Sequence, residues 1–583
     1  MATVVDTIDS LFEKYGPAYR WLVTLTVMIG AIAMGFASSM VNVAVPAVMG
    51  AYGIGLDQAQ WMATGFLATM STTMLLSSWF IEVLGQRIIT YFLTMTVFAI
   101  GSLISATAPN IELLVFGRVL QGAATGVGQP LAMFSIFSVF PPERRGMAVG
   151  LYGLGTVLAP TFGPILGGLA IDYISWRYLF YLPLPFCLPA MLMCLIFMPT
   201  KKFARKLPPF DWTGFLLMFT ATFLLLAGLS NGQRWGWNSD VIILCLLGGS
   251  ALIAIFVWWE TKAEYPFLDL TLFLDKQFAL IMLAGFVFGA GLFASGYFIP
   301  VFVQTIQNYS ATDAGLLLAP GGFIMMIFFP LAGRITDSLP AHIPISTGLL
   351  IFAIGFLLIS VIDVNTGFWA LVGYTAINRV GLSLAIPSLS AGALKAVPSE
   401  KLARGASSAT FFRNLGGGFG ITLLTAFFEH RAQFHGQALT ATQTSANQTT
   451  FELLNLVEHL LAESGMPNLL QSSSALNYLS TVIQAQASTL GFQDTFLMIA
   501  IVALIATGPA WMIGRTGKNG TVKSICFAFK AFRAIIMEEA LDRDLWSGHC
   551  EHSEYRAHPS RIWSQNYGRG PQPNATTSNS QRD

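Results

Sequence analysis

Charged side chains are scarce in this sequence, which has 31 Lys and Arg and 30 Asp and Glu among 583 residues. They make up 10% of the chain, whereas about 25% is typical of a soluble domain. A soluble fold of this length needs more charge to cover its surface, and a net charge of +1 gives no basic field for nucleic acid. The composition excludes a soluble enzyme, a disordered hub and a nucleic-acid-binding protein. It is typical of a polytopic membrane protein.

Several site signatures are also missing. The five cysteines form no evenly spaced disulfide framework. No Gly-x-x-x-x-Gly-Lys-Ser/Thr loop occurs, so the sequence excludes ATP as the energy source of this chain. His549, Cys550 and His552 lie in a polar tail without zinc-finger spacing. We therefore predict no metal and no cofactor.

Long apolar runs are what the sequence does contain. A helix needs about 20 mostly apolar residues to cross the hydrocarbon core. Continuous rather than alternating runs favour helices over a barrel. Fourteen membrane-spanning helices are predicted, at about 21–42, 59–80, 88–108, 111–133, 146–171, 176–198, 212–230, 240–260, 278–300, 314–332, 343–362, 368–390, 405–427 and 495–514.

The distribution of basic residues orients these spans. With the N-terminus inside, the outer loops hold only Arg177, Arg234 and Arg431, so the positive-inside rule predicts that both termini are cytoplasmic. The fold class expected is an all-α integral membrane protein with two pseudo-repeated six-helix bundles and two inserted helices. The predicted parts are a cytoplasmic N-terminus (1–20), an N-terminal bundle (21–200), the inserted pair (201–277), a C-terminal bundle (278–514) that includes a periplasmic segment (428–493), and a partly disordered cytoplasmic tail (515–583).

Nearly equal spacings between matching features predict the internal repeat. Glu82 and Asp337 are 255 residues apart, and Arg118 and Arg379 are 261 apart. The glycine-rich stretches of the fifth and thirteenth spans are similarly spaced, because Gly163 and Gly417 are 254 residues apart. Duplicated halves around a central pathway are typical of secondary transporters, which predicts a transporter rather than an enzyme.

Three arginines fall inside predicted spans. Arg118 lies with Gln121 and Gly122 on one face of the fourth span, and a charge at that depth costs at least about 2.5 kcal/mol unless it is paired or hydrated. It is a candidate coupling residue, and the alternative is a structural arginine bonded to helix carbonyls. For Arg379 and Arg413, a functional and a structural role are about equally favoured.

The fifth span carries a stripe of small residues. Its members are four residues apart, at Gly155, Ala159, Gly163 and Gly167. Such a stripe lets a neighbouring helix approach closely, and Pro164 beside it can bend the helix. Close packing and a moving hinge are both compatible with this pattern.

Two short loops repeat a second motif. One carries Glu82, Gly85 and Arg87, and the other carries Gly333 and Asp337. Carboxylates at helix ends can pair with helix termini and basic residues. Both loops are therefore candidate parts of a cytoplasmic gate, although ordinary solvated loop charges are the alternative.

No carboxylate falls in the middle of a predicted span, and arginine cannot release a proton at a relevant pH. The remaining candidates for a proton site are Glu112, near the outer end of the fourth span, and groups at outer helix ends: Asp172, Glu429, His430 and Asp494. Each fits an interfacial residue better than a proton site.

At these motifs, over about residues 20–515, the sequence resembles the fourteen-helix drug:proton antiporter branch (EmrB/QacA type) of the major facilitator superfamily. The matching segments are Val41–Pro46 with Asn42 and Pro46, a degraded loop motif from Ser78 to Arg87, Arg118–Gly122, Gly163–Gly168 and Trp176–Phe180. The first-span acid of that branch aligns with Ala37, and Pro183 stands where Asn is usual.

The resemblance implies a rocker-switch transporter that exports amphiphilic small molecules in exchange for protons. Arg118 would assist coupling, with Gly168 part of the helix interface of the fifth span. A bacterial inner-membrane location is expected, with the lipid bilayer as surroundings. A periplasmic adaptor and an outer-membrane channel are expected partners of 428–493. Two alternatives stay open: a carrier for an endogenous metabolite, lipid or siderophore with no or different ion coupling, and a transporter-like sensor or scaffold whose tail (516–583) binds a partner.

Overall fold

The computed structural model describes residues 8–77, 79–80, 87–140, 159, 161–199, 209–398, 401–444 and 447–514. Within these ranges the regular structure is entirely helical. This agrees with an apolar chain in lipid, where a helix satisfies all of its own backbone hydrogen bonds.

The first half contains ten described helices, of which several are short. In chain order they are α1 (Ile8–Tyr15), α2 (Tyr19–Ser39), α3 (Val45–Tyr52), α4 (Leu56–Ala59), α5 (Trp61–Met74), α6 (Arg87–Thr107), α7 (Ile111–Val139), α8 (161–173), α9 (Tyr178–Tyr181) and α10 (Leu184–Phe197).

The remaining helices form the inserted pair and the second half. They are α11 (Trp212–Trp235), α12 (Asp240–Glu260), α13 (Lys276–Thr305), α14 (Ala311–Ser338), α15 (His342–Ile359), α16 (Phe368–Lys395), α17 (Leu402–Ala441), α18 (Gln448–Glu463) and α19 (Asn468–Met512).

Every predicted span overlaps one of these helices, although 146–171 is described only at 159 and from 161 onward. Ten helical segments of the described chain are long and apolar enough to cross a membrane. The all-helical membrane fold is therefore confirmed, while the total of fourteen and the domain boundaries stay predictions.

One buried core is confined to the first half, and a larger one contains residues of both halves. In the first half, Tyr91 and Phe98 of α6 pack with Val27 and Met34 of α2. The second half is built on aromatic contacts, such as Phe352 of α15 with its neighbours in α13 and α15. Since lipid supplies no hydrophobic drive between helices, this close packing is what holds each bundle together.

The inserted pair is tied to the second half by an ion-pair cluster. Asp269, between α12 and α13, accepts from Lys401 at 2.8 Å and Arg404 at 3.2 Å. Burial alone would raise the pKa of Asp269, but hydrogen bonds from Lys401, Thr271 and Arg404 outweigh it and hold the pKa at about 2. The linker after α12 is thus anchored to the start of α17.

The polar segment 428–493, placed outside by the sequence, is largely helical. Helix α17 continues to Ala441, α18 follows, and α19 begins at Asn468, far ahead of the predicted span. The Asn447 side chain caps α18 by accepting from the Thr450 N–H. Leu453, Leu456 and Leu460 recur at three- and four-residue steps, a helical period. Hydropathy indicates which part of a helix lies in the membrane, but it does not indicate where the helix itself ends.

Candidate functional site

Arg118 is the eighth residue of α7, and its side chain is 1% exposed. Its Nε donates to the Met62 carbonyl of α5 at 2.9 Å, and its Nη1 donates to the Ala37 carbonyl of α2 at 2.9 Å. Nη1 also donates to Gln121 Oε1 at 2.8 Å. One guanidinium therefore joins three helices through acceptors that carry no formal charge.

Two neighbours complete this arginine's surroundings. The Phe66 ring lies 4.2 Å from the guanidinium carbon, a cation–π contact. Gln121 Nε2 donates to Ser102 Oγ at 2.7 Å, which extends the network to α6. A Cβ on Gly122 would collide with the Phe66 carbonyl oxygen, so glycine is what allows α5 and α7 to approach.

The observed geometry is that of an arginine bonded to helix carbonyls. Ala37, where the resemblance leads one to expect an acid, supplies only its backbone oxygen. Glu112 is exposed at the start of α7, six residues before Arg118, and the hydrogen bonds of the Arg118 guanidinium go elsewhere. The coupling roles of Arg118 and Glu112 stay predictions.

The small residues of the fifth span face α2. A Cβ on Gly35 would meet the Ala159 side chain, one on Gly163 would meet Ser39, and one on Gly167 would lie 3.3 Å from the Met40 Cβ. Ser39 Oγ donates to the Ala159 carbonyl at 3.0 Å. Gly155 lies outside the described residues.

The next contacts of α8 cross to the second half. A Cβ on Gly168 would collide with the Ala311 carbonyl oxygen of α14, and one on Gly315 would collide with the Pro164 carbonyl oxygen. Asp172 accepts from the backbone N–H of Ala311 at 3.2 Å and from that of Thr312 at 2.7 Å.

Two further bonds join the halves. Gln304 Nε2 of α13 donates to the Val43 carbonyl at 3.0 Å, and the hydroxyls of Thr64 and Thr422 lie 3.3 Å apart. With the predicted orientation, the Asp172 and Gln304 contacts lie at the outer ends of their helices. In that predicted orientation, these contacts between the halves lie at the outer end of the bundle.

The first-span motif coincides with a change of helix type. Met40–Ala44 form a 3₁₀ turn between α2 and α3, and Pro46 sits in the first turn of α3, where its missing N–H costs nothing. A Cβ on Gly296 of α13 would lie 3.2 Å from Asn42 Nδ2. The motif thus lies against the second half.

The predicted cytoplasmic gate is largely outside the described residues. Glu82 and Gly85 are among those not described, as are the side chains of Arg87, the first residue of α6, and Asp337 near the end of α14. Gly333 faces open space. The gate stays a prediction.

The two arginines of the second half differ from Arg118. Both are half-buried, and neither guanidinium makes a hydrogen bond or ion pair with any described residue. The stem of Arg379 lies against α14, with its Cγ 2.6 Å from where a Cβ on Gly321 would stand. The backbone carbonyl of Arg413 faces Gly289 of α13.

A cavity of about 1370 Å³ lies between α11, α13, α17 and α19, and residues of α3 and α4 also line it. The polar residues that line it include Asp57, Gln233, Arg234 and Glu429. Glu429 lies beyond the predicted span 405–427. Burial and the nearby charge of Asp57 raise its pKa to about 7, and a hydrogen bond from the backbone N–H of Asp57 partly opposes this rise. The sequence pointed to Glu429 only by its place at a helix end, and it gave no sign of the cavity.

Sequence comparisons agree with this architecture. The family model described as Major Facilitator Superfamily matches residues 27–421. The multidrug transporter protein MdtP of Bacillus subtilis (strain 168) is 31% identical, covering 69% of this chain and 74% of the relative. The multidrug export protein EmrB of Escherichia coli (strain K12) is 26% identical, with 84% and 94% covered. The fatty acid resistance protein FarB of Neisseria gonorrhoeae is 26% identical, with 85% and 96% covered.

Solved structures share the fold. A bacterial homologue of the human lysosomal transporter Spinster, inward-facing and unoccupied, has a TM-score of 0.56 at 15% identity, with 86% of this chain and 98% of that chain covered. A POT family transporter in complex with 5-aminolevulinic acid has a TM-score of 0.59 at 12% identity, with 85% and 96% covered. With a family match across most of its length and two helical halves joined at one end, the chain belongs to the major facilitator superfamily, as a multi-pass membrane transporter.

Proposed function

We propose that this protein is a secondary active exporter of amphiphilic small molecules, driven by protons and working by alternating access. The observation that carries the proposal is the clustering of contacts between the halves at the outer ends of their helices, around Asp172 and Gln304. Rocking the halves apart there would open the path outward. The names of MdtP, EmrB and FarB favour export of drugs or fatty acids.

Small residues make such a motion feasible at α8 and α14. Gly168 and Gly315 each bring the backbone of one half against that of the other. Where the backbones of two helices are in contact, the helices can rotate against each other without first separating interlocked side chains. In this scheme the Glu82 and Asp337 loops would close the cytoplasmic side when the outer end opens.

Proton coupling needs a group that titrates. Arg118 holds α2, α5 and α7 together, and it would move with its half as a rigid unit. Ala37 cannot titrate, so we place the proton site among the outer carboxyls, with Glu429 ahead of Glu112. Glu429 combines burial, a pKa of about 7 and access to the outer cavity.

The outer helical segment is the proposed partner surface. Several apolar side chains there are exposed, among them Phe451 at 62% and Leu469 at 95%. Exposed apolar groups of this kind favour a protein partner. We place the protein in a bacterial inner membrane with both termini in the cytoplasm. The proposed partners are a periplasmic adaptor and an outer-membrane channel.

The proposal can be tested in proteoliposomes containing a pH-sensitive dye and an amphiphilic fluorescent substrate. We expect substrate movement to shift protons in the opposite direction, and Glu429→Gln to abolish this exchange. Glu452→Gln is the matched control, because Glu452 is exposed on α18. Substrate movement that is unchanged with or without a pH gradient would favour an uncoupled carrier. No movement of any substrate would favour the sensor or scaffold alternative.

A further inference from the structure

Arg379 occupies a position in the membrane where a charge needs a partner. It is the twelfth residue of the 28-residue helix α16, so about 17 Å of helix precedes it and about 24 Å follows. Its guanidinium has no hydrogen-bond or ion-pair partner among the described residues. A charge at this depth is costly unless water or a counter-ion reaches it.

The face of α16 that carries Arg379 is partly accessible, although Ser383, four residues later, is buried. Ile386 and Ser390, seven and eleven residues later, lie on the same face by helical period. Arg379 and Ile386 are half-buried and Ser390 is exposed. Arg379 and Ser390 are thus accessible polar side chains on one face. Such side chains fit a water-filled path between helices better than a lipid contact.

The neighbour of Arg379 places this path between the halves. Its stem leans on Gly321 of α14, and the adjacent Gly322 packs against Thr161 of α8, in the other half. Arg379 is therefore next to the surface where the two halves meet. That is where the substrate of a transporter built from duplicated halves is expected.

The predicted repeat gives Arg379 a counterpart in the first half whose contacts can be compared with its own. Arg118, the counterpart of Arg379 in the first half, is buried, and its Nε and Nη1 donate to two backbone carbonyls and one side-chain amide oxygen. Arg379 leans on the matching helix of its own half without any such bond. The arginine at this position of the predicted repeat thus has hydrogen-bond partners in one half and, among the described residues, none in the other.

We infer that Arg379 is the binding site for the negatively charged head group of the substrate, so that the pathway selects amphiphilic anions such as carboxylates over amphiphilic cations. This inference rests on the proposed export function and specifies its substrate class. The planar guanidinium offers paired donors that match a carboxylate. Among the described residues, the carboxylates lie toward helix ends, between helices or in the outer segment from α17 to α19. None of them therefore offers a counter-charge to a cation beside Arg379.

Two hydrophobic ions of nearly the same shape and opposite charge give a direct test. Tetraphenylborate is the anion and tetraphenylphosphonium is the cation. Binding of each to the full-length protein in zwitterionic nanodiscs is measured by equilibrium dialysis, with empty nanodiscs subtracted. We expect the wild type to bind the borate more tightly. Arg379→Gln should weaken borate binding about tenfold or more and leave phosphonium binding unchanged or tighter, because the substitution removes the positive charge that attracts the anion.

Arg334→Gln is the matched control, since it removes the same charge from an exposed position on α14 and should leave both affinities unchanged. Arg379→Lys keeps the charge and should retain most of the borate binding. Tighter wild-type binding of the phosphonium would overturn the inference without reference to any variant, as would equal effects of the Arg379 and Arg334 substitutions. Export of the phosphonium but not the borate would leave the proposed function standing and refute only the anion selectivity. Failure to bind or export either ion would count against both.

Discussion

Replacing Arg118 with lysine tests whether one guanidinium braces the first half. The two carbonyls of Met62 and Ala37 are bonded by different nitrogens, Nε and Nη1. A single ammonium cannot occupy both places. Each hydrogen bond from a charged donor contributes about 1.5–3 kcal/mol. Because the site is buried, solvent does not compensate for the loss, and we expect Arg118→Lys to lower the free energy of unfolding by about 1.5–3 kcal/mol.

Arg118→Met provides the comparison. It removes all three bonds and the contact with Phe66, but it also removes the cost of burying a charge. We therefore expect a loss of about 2–4 kcal/mol, less than the sum of the bonds. Reversible unfolding in mixed micelles, followed through the fluorescence of the 13 tryptophans, measures both values.

The third bond can be isolated with Gln121→Leu in a double-mutant cycle. Arg118 and Gln121 are in direct contact, so their effects should not add, and a coupling of about 0.5–3 kcal/mol is expected. Wild-type stability of Arg118→Lys would refute the bracing by the two carbonyl bonds. Strict additivity in the cycle would refute a stabilising bond between Arg118 and Gln121.

Three further outcomes follow from other contacts. Gly168→Ala should hold the outer end open and abolish transport, because the new Cβ would collide with the Ala311 carbonyl oxygen. Gly373→Ala is the control and should do neither, since its Cβ would meet nothing within 4 Å. Distances between spin labels across the outer end measure the opening. The pKa of Glu429 is raised from 4.5 to about 7, so wild-type stability should fall as pH rises through this window, and Glu429→Gln should lack that fall while matching the wild type below pH 4.5. The pKa of Asp269 is lowered from 3.8 to about 2, so its contribution is complete above pH 4 and lost as pH falls toward 2; Asp269→Asn should flatten acid unfolding in that window.

Helix positions in the membrane could be read from the sequence because hydropathy and helix length are linked there. The inserted helix α12 was predicted at 240–260 and is found at Asp240–Glu260. Helix α17 was predicted at 405–427 but runs on to Ala441, because alanine and glutamine continue a helix outside lipid as readily as leucine does inside.

The candidate site was less accessible to prediction. Arg118 stood out as a charge in an apolar run, but its partners are backbone carbonyls, and every residue type supplies one. Arg379 carried the same signal as Arg118, and only the positions of the neighbouring helices decide which of the two guanidinium groups has partners among the described residues. The cavity beside Glu429 depends on how four helices diverge, which no local pattern encodes.

Helices α17 and α19 have 40 and 45 residues, so they are about 60 and 68 Å long, twice the thickness of the hydrocarbon core. Each runs without interruption from the transport region to the outer segment. A stiff rod that pivots within the membrane moves farthest at its free end. A small rotation of the second half therefore produces a larger displacement at the outer ends of these helices, beside α18. A protein seated there could sense which way the transporter is open without touching its substrate.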